Sequence, residues 1–399
     1  MKKTALSLLL CVVMLLSSSL GIFASGDEGN GISGGNSEAE NGAITTVAPD
    51  ISAKSAVLIE AKTGTVLYSK QPNIALPPAS VTKIMTLLLV AEALDSERIK
   101  LTDEVVISEK ASSMGGSQIF LKEGESFTVE ELIKSTVIAS ANDAAVALAE
   151  YVAGSESAFV AEMNKRAGEL MMKSTCFENV TGLDDTVTNH LTSAYDISLM
   201  SRELIKHSEI MQYASVWQDS VRNGEFTLTN TNRLVRYYKG CTGLKTGSTD
   251  KAGFCVSATA ERDGMHLIAV IMGAPTSNDR NNAARALLDY GFSGYALLDE
   301  GGSSLEKVPV RFGKLRHVNV YSTPITKVVD KGSLSKIEKS FEIPEYIIAP
   351  IKQGDKIGQI TYTVGDEEIA VSDIVVREDI EALDFFDILL VILKSIISA

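Results

Sequence analysis

Three short segments carry residues able to do covalent chemistry together: Ser80-Val81-Thr82-Lys83, Ser140-Ala141-Asn142 and Lys245-Thr246-Gly247. A serine one helical turn ahead of a lysine places a hydroxyl and an amine on the same helix face, close enough to exchange a proton. A serine hydroxyl is a poor nucleophile at neutral pH and needs a base. His190, His207, His266 and His317 all lie outside the three segments, so Lys83 is the candidate.

Each pattern is common by itself, and context must choose among copies. Ser-x-x-Lys recurs at Ser304-Lys307 and Ser333-Lys336, and Lys-Thr-Gly recurs at Lys62-Thr63-Gly64. Ser80 follows Pro77-Pro78-Ala79 and opens the run Val81-Thr82-Lys83-Ile84-Met85-Thr86-Leu87-Leu88-Leu89-Val90. That run is too apolar for a surface helix and predicts a buried one entered at Ser80. Ser304 precedes a short strand-like run, whereas Ser333 lies in a polar Lys/Gly/Ser stretch. The Lys62 copy sits between two apolar runs around Gly64, which predicts a hairpin turn. The Lys245 copy precedes a polar turn and then Ala252-Gly253-Phe254-Cys255-Val256-Ser257-Ala258, as a strand edge lining a cleft would. Gly247 is expected to leave room there for a substrate backbone.

The elements that must hold these segments follow from patterning. Helices are predicted at 129–138, 155–170 and 194–207, with strand-like runs before and after them. One strand pair near the start and three strands near the end give an α+β domain over 51–298, an antiparallel sheet packed by helices. Residues 302–380 alternate in short runs, such as Val318-Asn319-Val320-Tyr321 and Ile374-Val375-Val376, and form an all-β domain.

The two ends read differently. Met1-Lys2-Lys3 followed by an apolar stretch and then Ala24-Ser25 predicts a secretory signal over 1–25. Leu10 before Cys11 is too bulky for a lipidation site; removal of the signal would leave Cys176, Cys241 and Cys255, an odd number that implies no disulfide framework. Residues 26–50 begin rich in Gly, Ser, Asn and Glu and act as a flexible linker, so the Gly-x-Ser-x-Gly match at Gly31–Gly35 is compositional chance. In the 381–399 tail, Asp384, Asp387, Lys394, Ser395 and Ser398 share one helical arc, while Phe385, Phe386, Ile388, Leu389, Leu390, Ile392, Leu393, Ile396 and Ile397 cover the other. The uninterrupted apolar run from Ile388 to Leu393 is far below the ~20 residues a membrane span requires. An amphipathic anchor lying in the membrane interface is expected. The chain carries a net charge of −14, which argues against nucleic acid as partner. No Cys/His ligand spacing is present, and neither metal nor cofactor is expected.

Pro78-Ala79-Ser80-Val81-Thr82-Lys83-Ile84-Met85-Thr86, Ala139-Ser140-Ala141-Asn142-Asp143-Ala144-Ala145 and Lys245-Thr246-Gly247-Ser248-Thr249-Asp250-Lys251-Ala252-Gly253 resemble, over their full length, the serine D-alanyl-D-alanine carboxypeptidases, the low-molecular-mass penicillin-binding proteins. The likeness runs from about Ala53 to the C-terminus. It implies a β-lactamase/transpeptidase-like catalytic domain, a small β-sandwich on its membrane side, and a C-terminal membrane anchor. It also implies an exported protein, peripheral at the outer face of the bacterial cytoplasmic membrane. Its substrates would be peptidoglycan stem peptides ending in D-Ala-D-Ala, with β-lactams as covalent inhibitors.

On this reading Ser80 attacks the terminal D-Ala-D-Ala bond to form an acyl-enzyme, and Lys83 is its base, made neutral by burial and by Lys245. Ser140 relays the proton to the leaving amine, and Asn142 bonds the substrate backbone. Backbone N–H groups of Ser80 and Ser248 form the oxyanion hole. Lys245, Thr246 and, by resemblance, Arg280 face the substrate carboxylate. A class A β-lactamase would need Glu-x-x-x-Asn between Asn142 and Lys245, and that spacing is absent. A D,D-endopeptidase and a catalytically idle wall-scaffolding protein remain as alternatives.

Overall fold

The structure is a computed structural model describing residues 47–397. The expected signal segment and most of the linker lie outside the described residues.

Five antiparallel strands form the central sheet: β1 (Ser55–Glu60), β2 (Val66–Lys70), β3 (Cys241–Thr249), β4 (Gly253–Arg262) and β5 (Met265–Ala274), in the order β2-β1-β5-β4-β3. The first pair is the expected hairpin. Its turn holds the decoy Lys62-Thr63-Gly64, where the Glu60 carboxylate accepts from Lys62 N–H and Thr63 N–H at 3.0 and 2.7 Å. Gly64 has φ +76°, a conformation glycine adopts without Cβ strain. Across the β3–β4 turn Gly247 lies opposite Cys255, as a turn near Asp250 requires. Cys176, Cys241 and Cys255 are free thiols.

Side chains alternate along β1, as strand geometry dictates. Val57 and Ile59 face one side with Ile268 and Val270, while Ala56 and Leu58 face the other with Leu267, Ala269 and Ile271. Both faces are covered. The second face packs on α6 (Ser277–Gly294) through Leu287, Leu288 and Phe292. The first carries α1 (Lys83–Asp95), α2 (Val129–Ile138), α3 (Asn142–Ala153), α4 (Glu156–Glu169) and α5 (Ala194–Leu204).

The helix α1 is apolar all round and is buried from Lys83 to Ala91, as such a helix must be. Thr128 and Glu131 form a capping box that starts α2. The helix expected over 194–207 ends at Leu204, because Lys206 N–H and His207 N–H bond three residues back, to Glu203 O and Leu204 O, and tighten the chain into a turn.

The C-terminal part is all-β, as expected. Its strands are β6 (Tyr295–Glu300), β7 (Ser304–Arg311), β8 (His317–Ser322), β9 (Ile325–Asp330), β10 (Glu338–Glu342), β11 (Ile347–Ile348), β12 (Lys356–Val364) and β13 (Glu367–Val376). Six of them form one sheet, β10-β12-β13-β8-β7-β11, and β6 pairs with β9. The strand β6 therefore belongs with the β part, although its sequence position falls at the end of the expected catalytic segment. A separate core of Val308, Val318, Val320, Ile360, Tyr362, Ile374 and Val376 fills it. Decoy Ser304 begins β7, and decoy Ser333 lies in the four-residue helix Lys331–Leu334, so neither opens a buried helix.

The tail forms α7 (Phe385–Ile397), with Asp384 and Asp387 exchanging reciprocal side-chain-to-N–H bonds at its start. Its apolar side chains are exposed, from Leu389 at 42% to Ile397 at 84%. Among the described residues no helix is long and apolar enough to cross a membrane.

Candidate active site

Ser80 lies in a 3₁₀ turn, Ala79–Thr82, that runs directly into α1 with Lys83 as its first residue. The tighter turn keeps residues three apart on one face, and Lys83 Nζ lies 3.0 Å from Ser80 Oγ. The amine is fully buried and also contacts Asn142 Oδ1 at 2.6 Å and the Thr181 carbonyl at 2.9 Å. Burial drives its pKa well below the ordinary lysine value, Lys245 lowers it further, and buried Asp143 opposes the change. Asn142 Oδ1 and Thr181 O can only accept hydrogen bonds. A neutral Lys83 therefore spends both hydrogens on them and turns its lone pair toward Ser80. That orientation is the one a general base requires.

Ser140 is buried in the turn between α2 and α3 with φ +63°. A left-handed backbone costs an L-residue ~1–2 kcal/mol, and the segment is held by Ala141 N–H on Ser135 O. Asn142, first residue of α3, uses both ends of its amide: Oδ1 accepts from Lys83, and Nδ2 donates to Gly115 O at 2.7 Å. Its backbone N–H donates to Ser117 O. The side chain expected to meet substrate thus braces Lys83 and the wall segment 115–121. Asp143 completes that brace, accepting from Ile119 N–H and Leu121 N–H at 3.1 Å each.

Lys245 and Thr246 lie on β3, on the opposite side of the nucleophile. Lys245 is buried, and its pKa is pushed down to about 7, first by desolvation and then by the charge of Arg280. Arg280, on the first turn of α6, is itself buried, at 7% exposed, and stands close enough to act on Lys245. A solvated helix-start arginine would do neither. Thr246 Oγ1 donates to Thr231 Oγ1 at 2.8 Å, and Ser248 is exposed at the same strand edge.

Gly247 differs from expectation. A Cβ there would meet Ser80 N at 2.7 Å, Val81 N at 2.9 Å and Pro78 O at 3.0 Å. The missing side chain makes room for the nucleophile turn rather than for a substrate backbone.

Several residues of the site carry no local signal in the sequence. Thr181 supplies the second acceptor for Lys83, and Asp143, Gly115 and Thr231 brace its walls. Asp143 alone adjoins a recognisable motif. Thr249 Oγ1 donates to Asp184 at 2.6 Å, tying the β3–β4 turn to the segment that carries Thr181.

A helix-borne serine and a buried lysine facing a β-strand edge define an active-site-serine acyl-transfer enzyme of the penicillin-recognising kind. The family described as D-alanyl-D-alanine carboxypeptidase matches residues 42–276, and the penicillin-binding protein 5 C-terminal domain matches 296–382. The D-alanyl-D-alanine carboxypeptidase DacF of Bacillus subtilis is 44% identical over 84% of this chain and 88% of its own length. Penicillin-binding protein 5 of Haemophilus influenzae superposes with a TM-score of 0.72 at 30% identity, covering 84% of this chain and 99% of that one. Penicillin-binding protein D2 of Listeria monocytogenes, solved in its ampicillin-bound form, matches 61% of this chain and 100% of its own at 30% identity and a TM-score of 0.57. The chain belongs to the D-alanyl-D-alanine carboxypeptidase family and is a serine hydrolase of that class.

Gly247→Ala is expected to lower the rate of acylation by a fluorescent penicillin roughly tenfold or more, because the strand and the nucleophile turn must move apart. Thermal unfolding should still be cooperative, and an unchanged rate would show that the turn accommodates the methyl group.

Proposed function

We propose that this enzyme removes the terminal D-Ala from peptidoglycan stem peptides through an acyl-enzyme on Ser80. The observation that carries this reading is the buried Lys83 Nζ held 3.0 Å from Ser80 Oγ, with Asn142 Oδ1 and Thr181 O as two further acceptors for its hydrogens. Lys83 takes the hydroxyl proton as Ser80 Oγ bonds to the carbonyl carbon of the penultimate D-Ala. The carbonyl oxygen becomes an oxyanion held by the N–H groups of Ser80 and Ser248. Collapse breaks the C–N bond, and the departing D-alanine amine receives the proton by way of Ser140. Water then adds to the ester, with Lys83 again accepting a proton, and Ser80 is restored.

Lys245, Thr246 and Arg280 would bind the terminal carboxylate, and Asn142 would hold Lys83 and the cleft wall in place beside the substrate. Two cations next to each other supply the attraction that a free C-terminus needs. The absence of Glu-x-x-x-Asn and the attached β domain weigh against a β-lactamase.

The domain limits follow the same reading: an export signal at 1–25, a linker at 26–50, the peptidase at 51–298, the β domain at 302–380 and an anchor helix at 381–399. Export to the outer face of the cytoplasmic membrane accords with a peptidoglycan substrate. The tail α7 would lie in the membrane interface with its exposed phenylalanines, leucines and isoleucines in the acyl boundary.

D-Alanine release from a diacyl-lysyl-D-Ala-D-Ala peptide tests the reaction. Protein ending before Asp384 should release it in a Ser80-dependent manner. Ser80→Ala should show neither release nor penicillin labelling while unfolding normally; labelling of that variant would remove Ser80 from the mechanism.

The KM for the peptide is expected to rise above pH ~7. A lysine with a lowered pKa is cationic below that value and neutral above it, so the carboxylate loses a partner as pH increases. Lys245→Arg stays charged and should flatten the rise; a pH-independent KM in the parent would argue against the role.

Cosedimentation with lipid vesicles tests the tail. Binding should disappear on removal of 384–399 and depend only weakly on anionic lipid, since Asp384 and Asp387 oppose Lys394.

A further inference from the structure

His190 and Thr82 lie behind the nucleophile turn, and neither takes part in the chemistry described above. Both are buried, at 3% and 0% exposed. Three bonds run through them in series. Glu178 N–H meets His190 Nδ1 at 3.0 Å, His190 Nε2 meets Thr82 Oγ1 at 2.7 Å, and Thr82 Oγ1 meets Ala79 O at 2.8 Å.

The direction of this chain is fixed by its ends. A backbone N–H can only donate, so Nδ1 accepts and the imidazole proton resides on Nε2. Nε2–H then donates to Thr82, whose own hydroxyl proton is left for the Ala79 carbonyl. Burial keeps the ring neutral, pushing its pKa down to about 4 against the opposing charges of Glu178 and Asp184. The single-tautomer chain therefore persists throughout the neutral range.

The last acceptor is the informative one. The Ala79 carbonyl belongs to the same planar peptide unit as the Ser80 N–H, so fixing one fixes the direction of the other. That unit needs holding, because Ala79 sits at φ +48°, which is sparsely populated for an L-residue. Gly182 packs directly against it: a Cβ there would fall 1.8 Å from Ala79 O and 2.7 Å from Thr82 Oγ1. Donation to the carbonyl also polarises the amide and strengthens its N–H as a donor.

We propose that His190 and Thr82 are positioning residues that aim the Ser80 N–H at the developing oxyanion, by way of the Ala79 carbonyl. The proposal rests on the reading of Ser80 as nucleophile and oxyanion-hole donor. It sets the two residues apart from general packing, since their effect should fall on the acylation step and not on the initial binding of ligand.

Stopped-flow acylation of the purified full-length chain by a reporter penicillin separates the two steps. An asparagine in place of His190 can reproduce the acceptor toward Glu178, whereas a glutamine can reproduce the donor toward Thr82. His190→Asn and Thr82→Val are expected to lower the acylation rate constant roughly ten- to a hundredfold, with the dissociation constant of the non-covalent complex unchanged. His190→Gln should recover most of the rate, and the double variant combining His190→Asn with Thr82→Val should be no slower than its slower parent. End-point labelling normalises each rate to the folded fraction. The proposal is overturned if Thr82→Val acylates within about twofold of the parent, if the two substitutions multiply, or if His190→Gln is as slow as His190→Asn. Labelling of Ser80→Ala would instead overturn the underlying reading, so the two failures are distinguishable.

Discussion

Removing a lysine side chain from water beside a second lysine is the constraint on which this structure turns. An ammonium group buried without a paired anion is strongly disfavoured, and the free energy is recovered by releasing the proton. Among the described residues Asp143 is the charge that opposes that release for Lys83, and Asp143 is already occupied by the N–H groups of the cleft wall. The result is an amine that gives up its proton more readily than an exposed lysine does. On the proposed reading such a base would do for Ser80 what a histidine does in other serine enzymes, with no third residue needed to set a tautomer. It needs two acceptors to hold its hydrogens away from the nucleophile, and Asn142 and Thr181 supply them.

The surrounding architecture can be understood as the means of keeping that amine dry and aimed. The helix α1 is apolar on every side so that it can pass through the middle of the domain, with Lys83 at its first turn. Helices α2 and α3 bring Ser140 and Asn142 to one side, and the central sheet brings Lys245 and Thr246 to the other. Gly247 lets strand and turn approach closely, and Gly182 does the same from the opposite direction. At both glycines a methyl group would collide with backbone atoms of the nucleophile turn. The site is assembled from segments far apart in sequence, of which those carrying Asn142, Thr181, Gly182 and Gly247 meet residues 78–83 directly.

The β domain has a core of its own and meets the catalytic part through Tyr295 and Leu297, which pack against the core behind the central sheet, and through exposed contacts such as Lys62 Nζ on Asp299 at 2.5 Å. Exposed ion pairs of this type contribute little to stability, with a median of ~0–1 kcal/mol. The residues of the candidate site all lie in the first part of the chain.

The order of the three motifs, the buried nucleophile helix, the hairpin that disposes of the second Lys-Thr-Gly, the paired strands around Asp250 and the all-β C-terminal part were legible in the sequence. Each depends on spacing within a few residues, and helix and strand geometry fix which neighbours share a face. Ser80 and Lys83 could be paired for that reason alone. What Lys83 touches besides Ser80 could not be read, since Asn142 and Thr181 stand 59 and 98 residues away. The neighbour of Gly247, the burial of Arg280 and the path from Glu178 through His190 to Ala79 are likewise set by which segments pack together. Local covalent geometry decided which residues could do the chemistry. Only the tertiary packing decided their protonation, because a pKa depends on the water excluded and the charges brought near, and chain spacing encodes neither.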